Sequence, residues 1–325
     1  MLKATSSALQ AIAVLALLCA FIIRAKTPIH AGFGQAGPMP AVSAGFRAAV
    51  THEIDDAWGW DEDMPFHTQE SFHQTFRLAP LTGPRAIEVA NLFGSIEVVG
   101  SDGDGVRMDV DKSIRARSDQ ALERAQKEVT LHVDKDPGLL RITVKYPSPC
   151  ALPDCWSFED HSYRVTTNFR LEVPHDADLT LKTVEGGEVL VRDVSGTFSI
   201  SNVNGAITME EVAGSGTART VNGPIKVTFR KNPEKDWQFA SVNGGVNLYF
   251  TRNLSADFRF RTFSGSVDSD FPILAAPMSA PAEERHGARL YFKTSAFEGG
   301  RVGAGGPLIR VESLNGNVRL VEKHD

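Results

Sequence analysis

The carboxylates with the clearest catalytic potential lie in the second half of the chain. A β-rich enzyme that cleaves polysaccharides needs carboxylates and bases clustered on one outer face. The candidates in this sequence are Glu185, Asp193, Glu210, Glu211 and Asp268. They do not share one position of the sequence repeat described below. We therefore expect a solvated outer face rather than an active site, and we expect that the protein is not an enzyme.

Two glycine-containing segments superficially resemble ligand-binding loops. The segment 300–306 has the glycines of a phosphate loop but not its Lys-Ser/Thr ending, and Pro307 follows directly. The segment 102–105 begins like a calcium loop, but Val106 and Ser113 stand where an oxygen ligand and a bidentate Glu are needed. The nucleophile-elbow and His-Glu-x-x-His motifs are absent from the sequence. The sequence therefore predicts no catalytic residue, no cofactor and no metal.

Cysteine and histidine residues offer two further possibilities. Cys150 and Cys155 flank four residues of a Pro-rich segment, and in an oxidising compartment this spacing favours a local disulfide. Two free thiols are one alternative, and a metal site with His161 is another. A structural zinc site takes four ligands at tighter spacing, which disfavours the metal. A second group, His52, His67 and His73, lies near an acidic segment, but nothing in the sequence fixes its geometry.

Charge excludes one large class of partner. The chain has 325 residues, with 34 Lys plus Arg against 40 Asp plus Glu and a formal net charge of −6. Nucleic-acid binding needs a basic face, so nucleic acid is not an expected partner. Loss of residues 1–31 would remove Lys3, Arg24 and Lys26 and no acid, which brings the charge to −9. That balance also disfavours an anionic-lipid binder.

The N-terminus has the pattern of an export signal. Lys3 precedes an uninterrupted apolar or small run from Ala11 to Ile23, which is the length of a signal-peptide core and short of a membrane span. We predict that residues 1–31 are a signal peptide. Because Arg24 and Lys26 flank the core, an uncleaved signal anchor is the alternative. In either case the remainder lies outside the cytoplasm, in the periplasm, on the outer face of the inner membrane, or at the cell surface.

The mature chain divides into a linker and one domain. Residues 32–71 are rich in Gly and Pro and then acidic, and they are expected to be a linker. Residues 72–325 form the predicted domain, with insertions at about 99–178 and 271–307. The first insertion holds one predicted helix, from Ser118 to Val129, which Ser118 can cap. Strands are expected to begin at Phe72 and to flank this helix.

A repeat of 18–21 residues carries most of the information in the domain. Four Asn-Gly dipeptides occur, and we take as the reference the apolar residue two places before each corner glycine. Positions three and five before the reference and four after it are apolar in nearly every unit. The position directly before the reference always holds Asn, Thr or Ser. The reference residues are Leu92, Val184, Val203, Val221, Val242, Phe263 and Leu314.

Matching positions in successive units favour a stack of coils over a series of hairpins, because like side chains then lie above one another. We predict a mainly β fold, a right-handed β-solenoid-like stack of short strands with Asn-Gly corners and one short inserted helix. Glycine would supply a left-handed corner without a Cβ penalty. The Asn/Thr/Ser position would form a hydrogen-bonded ladder. The expected corner glycines are Gly94, Gly187, Gly205, Gly223, Gly244, Gly265 and Gly316.

The repeat units resemble the bacterial putative-adhesin family of β-strand repeats, a family of unknown function. The resemblance runs from about Phe72 to Val321, most of the mature chain. It includes segments 87–98 and 171–178, and the closing segment 303–320. The resemblance implies a β-solenoid-like stack and implies no catalytic residues. The segment around Cys150 and Cys155 and the acidic linker depart from plainer members.

The sequence therefore predicts a non-catalytic exported protein of the bacterial cell envelope that acts as a scaffold or binding surface. Its expected partner is an unknown envelope protein or glycan. Contact with a membrane is expected only through an uncleaved N-terminal segment. One alternative is a surface adhesin that binds cells or glycans. The other is a polysaccharide-active β-helix enzyme.

Overall fold

A computed structural model of the chain describes residues 64–77, 85–147, 162–275, 282–286, 289–293 and 298–323. Side chains are described in these ranges except at residues 275, 282–286, 289–293 and 298. The segment 1–31, residues 32–63 of the linker, Cys150, Cys155 and His161 lie outside the described residues.

The described chain is mainly β with one short helix, as the sequence predicts. The elements of the first half are β1 (Phe66–Arg77), β2 (Ala86–Ala90), β3 (Ile96–Ser101), β4 (Gly105–Ala116), α1 (Asp119–Glu128), β5 (Thr130–Asp136), β6 (Leu139–Lys145), β7 (Tyr163–Pro174), β8 (Asp178–Lys182), β9 (Val189–Arg192), β10 (Ser195–Ser201) and β11 (Ile207–Asn222).

The second half continues the same pattern of short strands. Its elements are β12 (Ile225–Phe229), β13 (Trp237–Asn243), β14 (Val246–Phe250), β15 (Ala256–Ser264), β16 (Val267–Ser269), β17 (Leu274–Ala275), β18 (Ala282–His286), β19 (Arg289–Lys293), β20 (Glu298–Val302), β21 (Leu308–Asn315) and β22 (Val318–Glu322). Strands β18 and β19 pair only with each other in the described chain, and the other twenty strands form one mixed sheet.

The mixed sheet consists of two ladders that share β11. In the first ladder the strands pair in the order β5-β6-β2-β8-β10-β11-β13-β21-β15-β20-β17. In the second ladder the order is β1-β4-β7-β3-β9-β11-β12-β14-β22-β16. The central pairings of both ladders are parallel. Antiparallel pairings lie at both ends of the first ladder and at the β1 end of the second ladder, whose other end, β22-β16, is parallel.

Each repeat unit supplies one strand to each ladder, and a glycine corner joins the two strands. The sheet curls so that the inward faces of both ladders share one core. Phe229 of the second ladder meets Trp237 of the first ladder edge-on at 5.5 Å between ring centroids, and Phe250 meets Phe258 at 6.0 Å. Trp237 also stacks on Phe198 in its own ladder at 5.5 Å. These contacts show why one unit has no core of its own, since neighbouring units and the opposite ladder complete it.

The helix has the predicted bounds and cap. The Ser118 side chain accepts a hydrogen bond from the backbone N–H of Ala121 at 3.2 Å. Ala125 and Val129 are buried against the core, and Leu122 packs partly against it. The first strand starts earlier than the expected Phe72, at Phe66, because all twelve residues of β1 pair with β4.

The spatial order of the units differs from their order in sequence. The last unit, β21 and β22, lies between the unit of β13 and β14 and the unit of β15 and β16. Asn315 is therefore in register with both Asn243 and Ser264. In sequence the closing unit comes last, after the segment that follows β16. In space it is a strand pair inserted between two earlier units. Sequence spacing alone has no means of showing that rearrangement.

As predicted, the positions three and five before the reference residue and four after it are buried in nearly every unit. The reference residues themselves face outward. The small polar residues beside them are the buried ones: Asn91, Thr183, Asn202, Thr220, Ser241 and Ser313 are each at most 5% exposed. Among the reference residues, Val203 is buried, whereas Leu314 is 37% and Phe263 is 85% exposed. Alternation along a strand explains this, since a residue next to a buried one points to the opposite face.

We call these buried Asn, Thr and Ser residues the buried polar column. Their side chains form a ladder of hydrogen bonds to backbone oxygens of neighbouring corners. Thr183 Oγ1 donates to Gly94 O at 2.9 Å, and Thr220 Oγ1 donates to Gly205 O at 3.0 Å. Ser241 Oγ donates to Gly223 O at 3.0 Å. These bonds satisfy carbonyl groups that the corner leaves without a strand partner.

The reason for glycine at most corners is close approach rather than a left-handed backbone. Gly94 has φ +118°, but Gly187, Gly205, Gly223, Gly244, Gly265 and Gly316 are not among the positive-φ residues. A Cβ at Gly223 would lie 2.2 Å from Gly205 O, and one at Gly244 would lie 2.0 Å from Gly223 O. The left-handed explanation is therefore wrong at these positions, since corner backbones stack directly on one another.

Candidate functional site

The structure brings three of the five candidate carboxylates, Asp193, Glu210 and Glu211, onto neighbouring segments, where the Asp193 N–H donates to Glu210 O at 3.0 Å, whereas Glu185 and Asp268 lie elsewhere. Glu210 accepts a hydrogen bond from Arg192 Nε at 2.8 Å. Asp268 lies 4.0 Å from Arg319 Nε. Glu185 lies at a corner, in a parallel bridge with Asn204. Each of these groups belongs to an ion pair or a corner, which is a structural role.

The other two carboxylates have unusual backbones but similar partners. Glu211 has φ +51°, lies at a register shift in β11 and pairs with Lys323. Asp193 has φ +60° and pairs with Arg230. No sequence signal indicated either cation, because the partners are distant along the chain. Positive φ is uncommon for residues other than glycine, and at both sites the side chain is engaged by a cation from a distant segment.

A shallow groove of about 360 Å³ lies where β3 and β7 end, beside the segment that resembles a calcium loop. His175 is its central side chain. His175 Nδ1 lies 2.7 Å from the backbone oxygen of Asp193, and Nε2 lies 3.3 Å from Asp102. Within the described ranges, no group of three His, Cys, Asp or Glu is arranged to hold a metal ion. Asp102 thus pairs with a histidine here.

A second groove, also about 360 Å³, lies on the outward face of the first ladder. Its polar lining residues are Ser215, Thr217, Asp236, Gln238 and Arg310. Parallel register places Thr217 beside Gln238, Gln238 beside Arg310, and Arg310 beside Arg259. The result is a row of hydrogen-bond donors that runs across the strands at the spacing of neighbouring strands, about 4.8 Å.

The arginines of this face gather towards one end of the ladder. Arg259 and Arg261 alternate along β15 with buried Phe258 and Phe260, so both point outward. Arg301 donates two hydrogen bonds to Asp257, at 2.6 and 3.1 Å. This bond to Arg301 lowers the pKa of Asp257 below its usual value. Arg219 donates to the Gln238 side-chain oxygen at 2.9 Å.

This surface is not predicted from the sequence, although one signal for it is present there. Every second residue of β15 is charged or exposed. The repeat, however, is recognised only from the alternate, buried positions of this strand. The outward positions become a surface only once β21 is known to lie beside β15. β21 lies beside β15 because the closing unit, to which β21 belongs, is inserted there.

The described ranges contain no helix that is long and apolar enough to span a membrane. No family model matches the chain, and no curated protein matches it.

Three solved structures are similar to this chain at low sequence identity. A putative cell adhesion protein from Clostridium sporogenes is 8% identical, with a TM-score of 0.34, and the match covers 78% of this chain and 100% of that one. A putative adhesin from Parabacteroides merdae is 9% identical, with a TM-score of 0.30 and coverage of 78% and 96%. A putative lipid binding protein from Parabacteroides distasonis is 14% identical, with a TM-score of 0.26 and coverage of 78% and 97%. Likeness at this level assigns no function.

Proposed function

We propose that this chain is a non-catalytic, exported protein of the bacterial cell envelope that acts through a binding surface. The observation that carries the proposal is the outward face of the first ladder. Thr217, Gln238, Arg310 and Arg259 form one row across four strands that the corners hold in register. A rigid row of donors can bind an extended polar or anionic partner with little loss of conformational entropy.

The arrangement of acids favours binding over catalysis. A glycosidase uses two carboxyl groups about 5–10 Å apart, across one sugar linkage. Here Glu210 and Glu211 neighbour each other in sequence but pair with separate cations, Arg192 and Lys323. Each carboxylate is therefore engaged by its own cation rather than facing the other across a shared site.

We interpret the fold behind this surface as a right-handed β-solenoid with the closing unit inserted before the last coil. The parallel registers of both ladders and the repeated corners support this interpretation. A solenoid suits the proposed role, since stacking produces one continuous face from many units.

Export of the chain is also part of the proposal, and it rests on the N-terminal pattern of Lys3 and the apolar run 11–23. Surface proteolysis of intact cells separates the two locations. Protection until the outer membrane is opened would support an internal envelope protein, whereas degradation on intact cells would favour the adhesin alternative.

Retention on isolated envelope fragments tests the function. The full chain should sediment with the fragments and release no soluble sugar. A variant with Arg259→Ala and Arg310→Ala should lose retention, whereas Glu210→Gln with Glu211→Gln should keep it. Sugar release that disappears in the Glu210/Glu211 variant would overturn the proposal in favour of an enzyme. Equal retention of all variants would also contradict it, because the outward face would then have no role.

A further inference from the structure

Four exposed asparagines of the described chain each precede a glycine at a corner: Asn204, Asn222, Asn243 and Asn315. Asparagine is thermolabile, and a glycine after it leaves the backbone nitrogen accessible because no Cβ shields that nitrogen. The glycine nitrogen bonds to the asparagine Cγ as the Cγ–Nδ2 bond breaks, so ammonia leaves with the proton of the glycine N–H and a cyclic imide forms. Water then adds to either imide carbonyl and breaks its bond to the ring nitrogen, which yields aspartate or isoaspartate.

Hydrogen bonds between neighbouring units hold the reacting nitrogen of three of these pairs. In each, the glycine N–H donates to the backbone oxygen of the corner asparagine in the next unit. The bonds are Gly205 N to Asn222 O at 2.9 Å, Gly223 N to Asn243 O at 3.0 Å and Gly244 N to Asn315 O at 3.1 Å. The nitrogen is able to attack only after this bond opens, so local stability of the stack sets the rate of each reaction.

The fourth glycine donates to the last unit of the stack instead. Gly316 N donates to Ser264 O at 3.0 Å. Ser264 ends β15, and β20 pairs only with residues 256–260 of that strand, so no described strand lies beside its last residues on the far side. In the described chain β16 pairs only with β22. Because a unit covered on one side opens at lower cost than one between two neighbours, Gly316 loses its hydrogen bond more often than the other three glycines.

The corner asparagines also hydrogen-bond to one another through their side chains, and we call this row the asparagine ladder. Asn222 and Asn243 each donate to one corner asparagine and accept from another. Asn315 donates to Asn243 Oδ1 at 2.8 Å, but no described group donates to Asn315 Oδ1, because Ser264 takes the next place in register. The Asn315 carboxamide is thus held at one atom and is freer to turn its Cγ towards Gly316 N.

We propose that Asn315 is a site of spontaneous modification in the folded chain, where it converts to aspartate and isoaspartate while the other three corner asparagines persist. The reaction needs no reagent except water. Either product lacks the amide that donates to Asn243, and isoaspartate also adds one carbon to the main chain between β21 and β22. The bonds that join the closing unit to the unit of β13 and β14 therefore weaken as the molecule ages.

Peptide mapping of the full chain tests this proposal. The protein is kept at mildly alkaline pH and body temperature, and mass spectrometry follows each corner asparagine in buffer and in urea. Each rate in buffer is divided by the rate of the same asparagine in urea, which removes the influence of flanking residues. We expect the quotient for Asn315 to be at least about tenfold larger than the other three. Asn204 is the sharpest comparison, because its side chain is also held at one atom but Gly205 N bonds an internal unit.

Extension of the asparagine ladder tests the part of the side chain. Ser264→Asn places an amide beside Asn315 Oδ1 and should slow conversion at Asn315 at least about threefold. The Asn-Gly pair that this variant creates at 264–265 lies in the last unit and should react faster than Asn315. Ser199→Asn makes the same change on the outward face of β10, away from the corners, and should leave the rate at Asn315 unchanged.

Opening of the last unit tests the part of the backbone. Gly265→Ala places a Cβ 2.2 Å from Gly316 O and should raise the rate at Asn315 at least about threefold without changing the rate at Asn204. Gly103→Ala, where a Cβ lies no nearer than 3.9 Å to any described neighbour, is the control and should change neither rate.

Equal quotients for the four asparagines, or a smaller one for Asn315, would overturn the proposal. Retention of Asn315 in buffer for as long as the other three would also overturn it, since the last unit would then protect its neighbour as well as an internal unit does. An unchanged rate at Asn315 in both Ser264→Asn and Gly265→Ala would likewise contradict it, because neither the asparagine ladder nor the last unit would then control the reaction.

Discussion

The side-chain amide of Asn243 donates a hydrogen bond to the side-chain oxygen of Asn222 across 2.7 Å. Asn222 donates in turn to Asn204 at 2.7 Å, and Asn315 donates to Asn243 at 2.8 Å. The four Asn-Gly corners are thus joined by one asparagine ladder on the surface. A ladder of this kind is favoured by asparagine at equivalent positions of neighbouring units, which accounts for the recurrence of Asn in the sequence.

Replacement of one ladder residue should lower stability moderately. Asn222→Asp keeps the shape but removes the donor to Asn204, at an expected cost of about 1 kcal/mol. That cost corresponds to a fall in Tm of about 2–4 °C. Asn247→Asp, on the outward face of β14, is the control; its carboxylate would lie in register with Lys226 and Arg319, so Tm should not fall. Equal melting of the two variants would show that the ladder contributes nothing.

Addition of one methyl group at a corner should be severe. Gly223→Ala places a Cβ 2.2 Å from Gly205 O, whereas Gly103→Ala places one no nearer than 3.9 Å to any described neighbour. Because backbone atoms are unable to move aside individually, we expect a loss of about 3 kcal/mol or more for Gly223→Ala. The loop variant should lie within about 0.5 kcal/mol of wild type. Urea unfolding measures both, and similar midpoints would refute close approach as the reason for the corner glycines.

The buried polar column should depend on its hydroxyl groups. Thr220→Val keeps the volume but leaves Gly205 O without the 3.0 Å hydrogen bond, at an expected cost of about 1–3 kcal/mol. Thr228→Val, on the outward face of β12, makes the same chemical change away from the column. A loss of stability confined to Thr220→Val is expected in thermal unfolding. A neutral Thr220→Val would mean that water or another donor serves this carbonyl.

Burial raises the pKa of Tyr146 to about 12 from its usual value of 10.0. The folded state therefore holds the phenol proton more tightly than the unfolded state. The stability that this difference contributes is fully present below pH 10 and is lost as the pH rises through 12. A titration of tyrosinate absorbance in the folded protein should show a late step, and Tyr146→Phe should remove it. Complete titration near pH 10 while the protein remains folded would contradict this assignment.

Engineered cysteines test the position of the closing unit. Asn243→Cys with Asn315→Cys joins positions in register on neighbouring strands, so a disulfide should form. Asn243→Cys with Ser264→Cys joins positions two strands apart, about 10 Å, and should not cross-link. Units stacked in sequence order would give the opposite result. Peptide mapping distinguishes the two outcomes and detects any exchange with Cys150 or Cys155.

The periodic features of this fold are the ones that the sequence could predict. The helix from Asp119 to Glu128 and its Ser118 cap follow from local propensity and spacing. Buried positions such as Phe198 and Ile200 follow from repetition every 18–21 residues, which forces like side chains above one another. The hydrogen-bonded polar column follows in the same way, since a small polar residue before every corner has few other roles.

The unpredicted features depend on which units become neighbours. Phe263 was treated as equivalent to Val203, but the next strand of the ladder, β20, pairs only with residues 256–260 of β15, so no described strand lies beside Phe263 on that side. The corner explanation was wrong for a related reason. A glycine required by its own φ and one required by a neighbouring backbone are identical in sequence, and only the contact between Gly223 and Gly205 O separates them.

Hydrogen exchange of the full chain with and without bacterial envelope fragments tests the central claim most directly. The claim is that the protein binds through the outward face of the first ladder. We predict slower exchange in peptides of β13, β21 and β15 when fragments are present, and unchanged exchange in β12 and β14 of the second ladder. Protection confined to the second ladder, or no protection in any described strand, would contradict the claim.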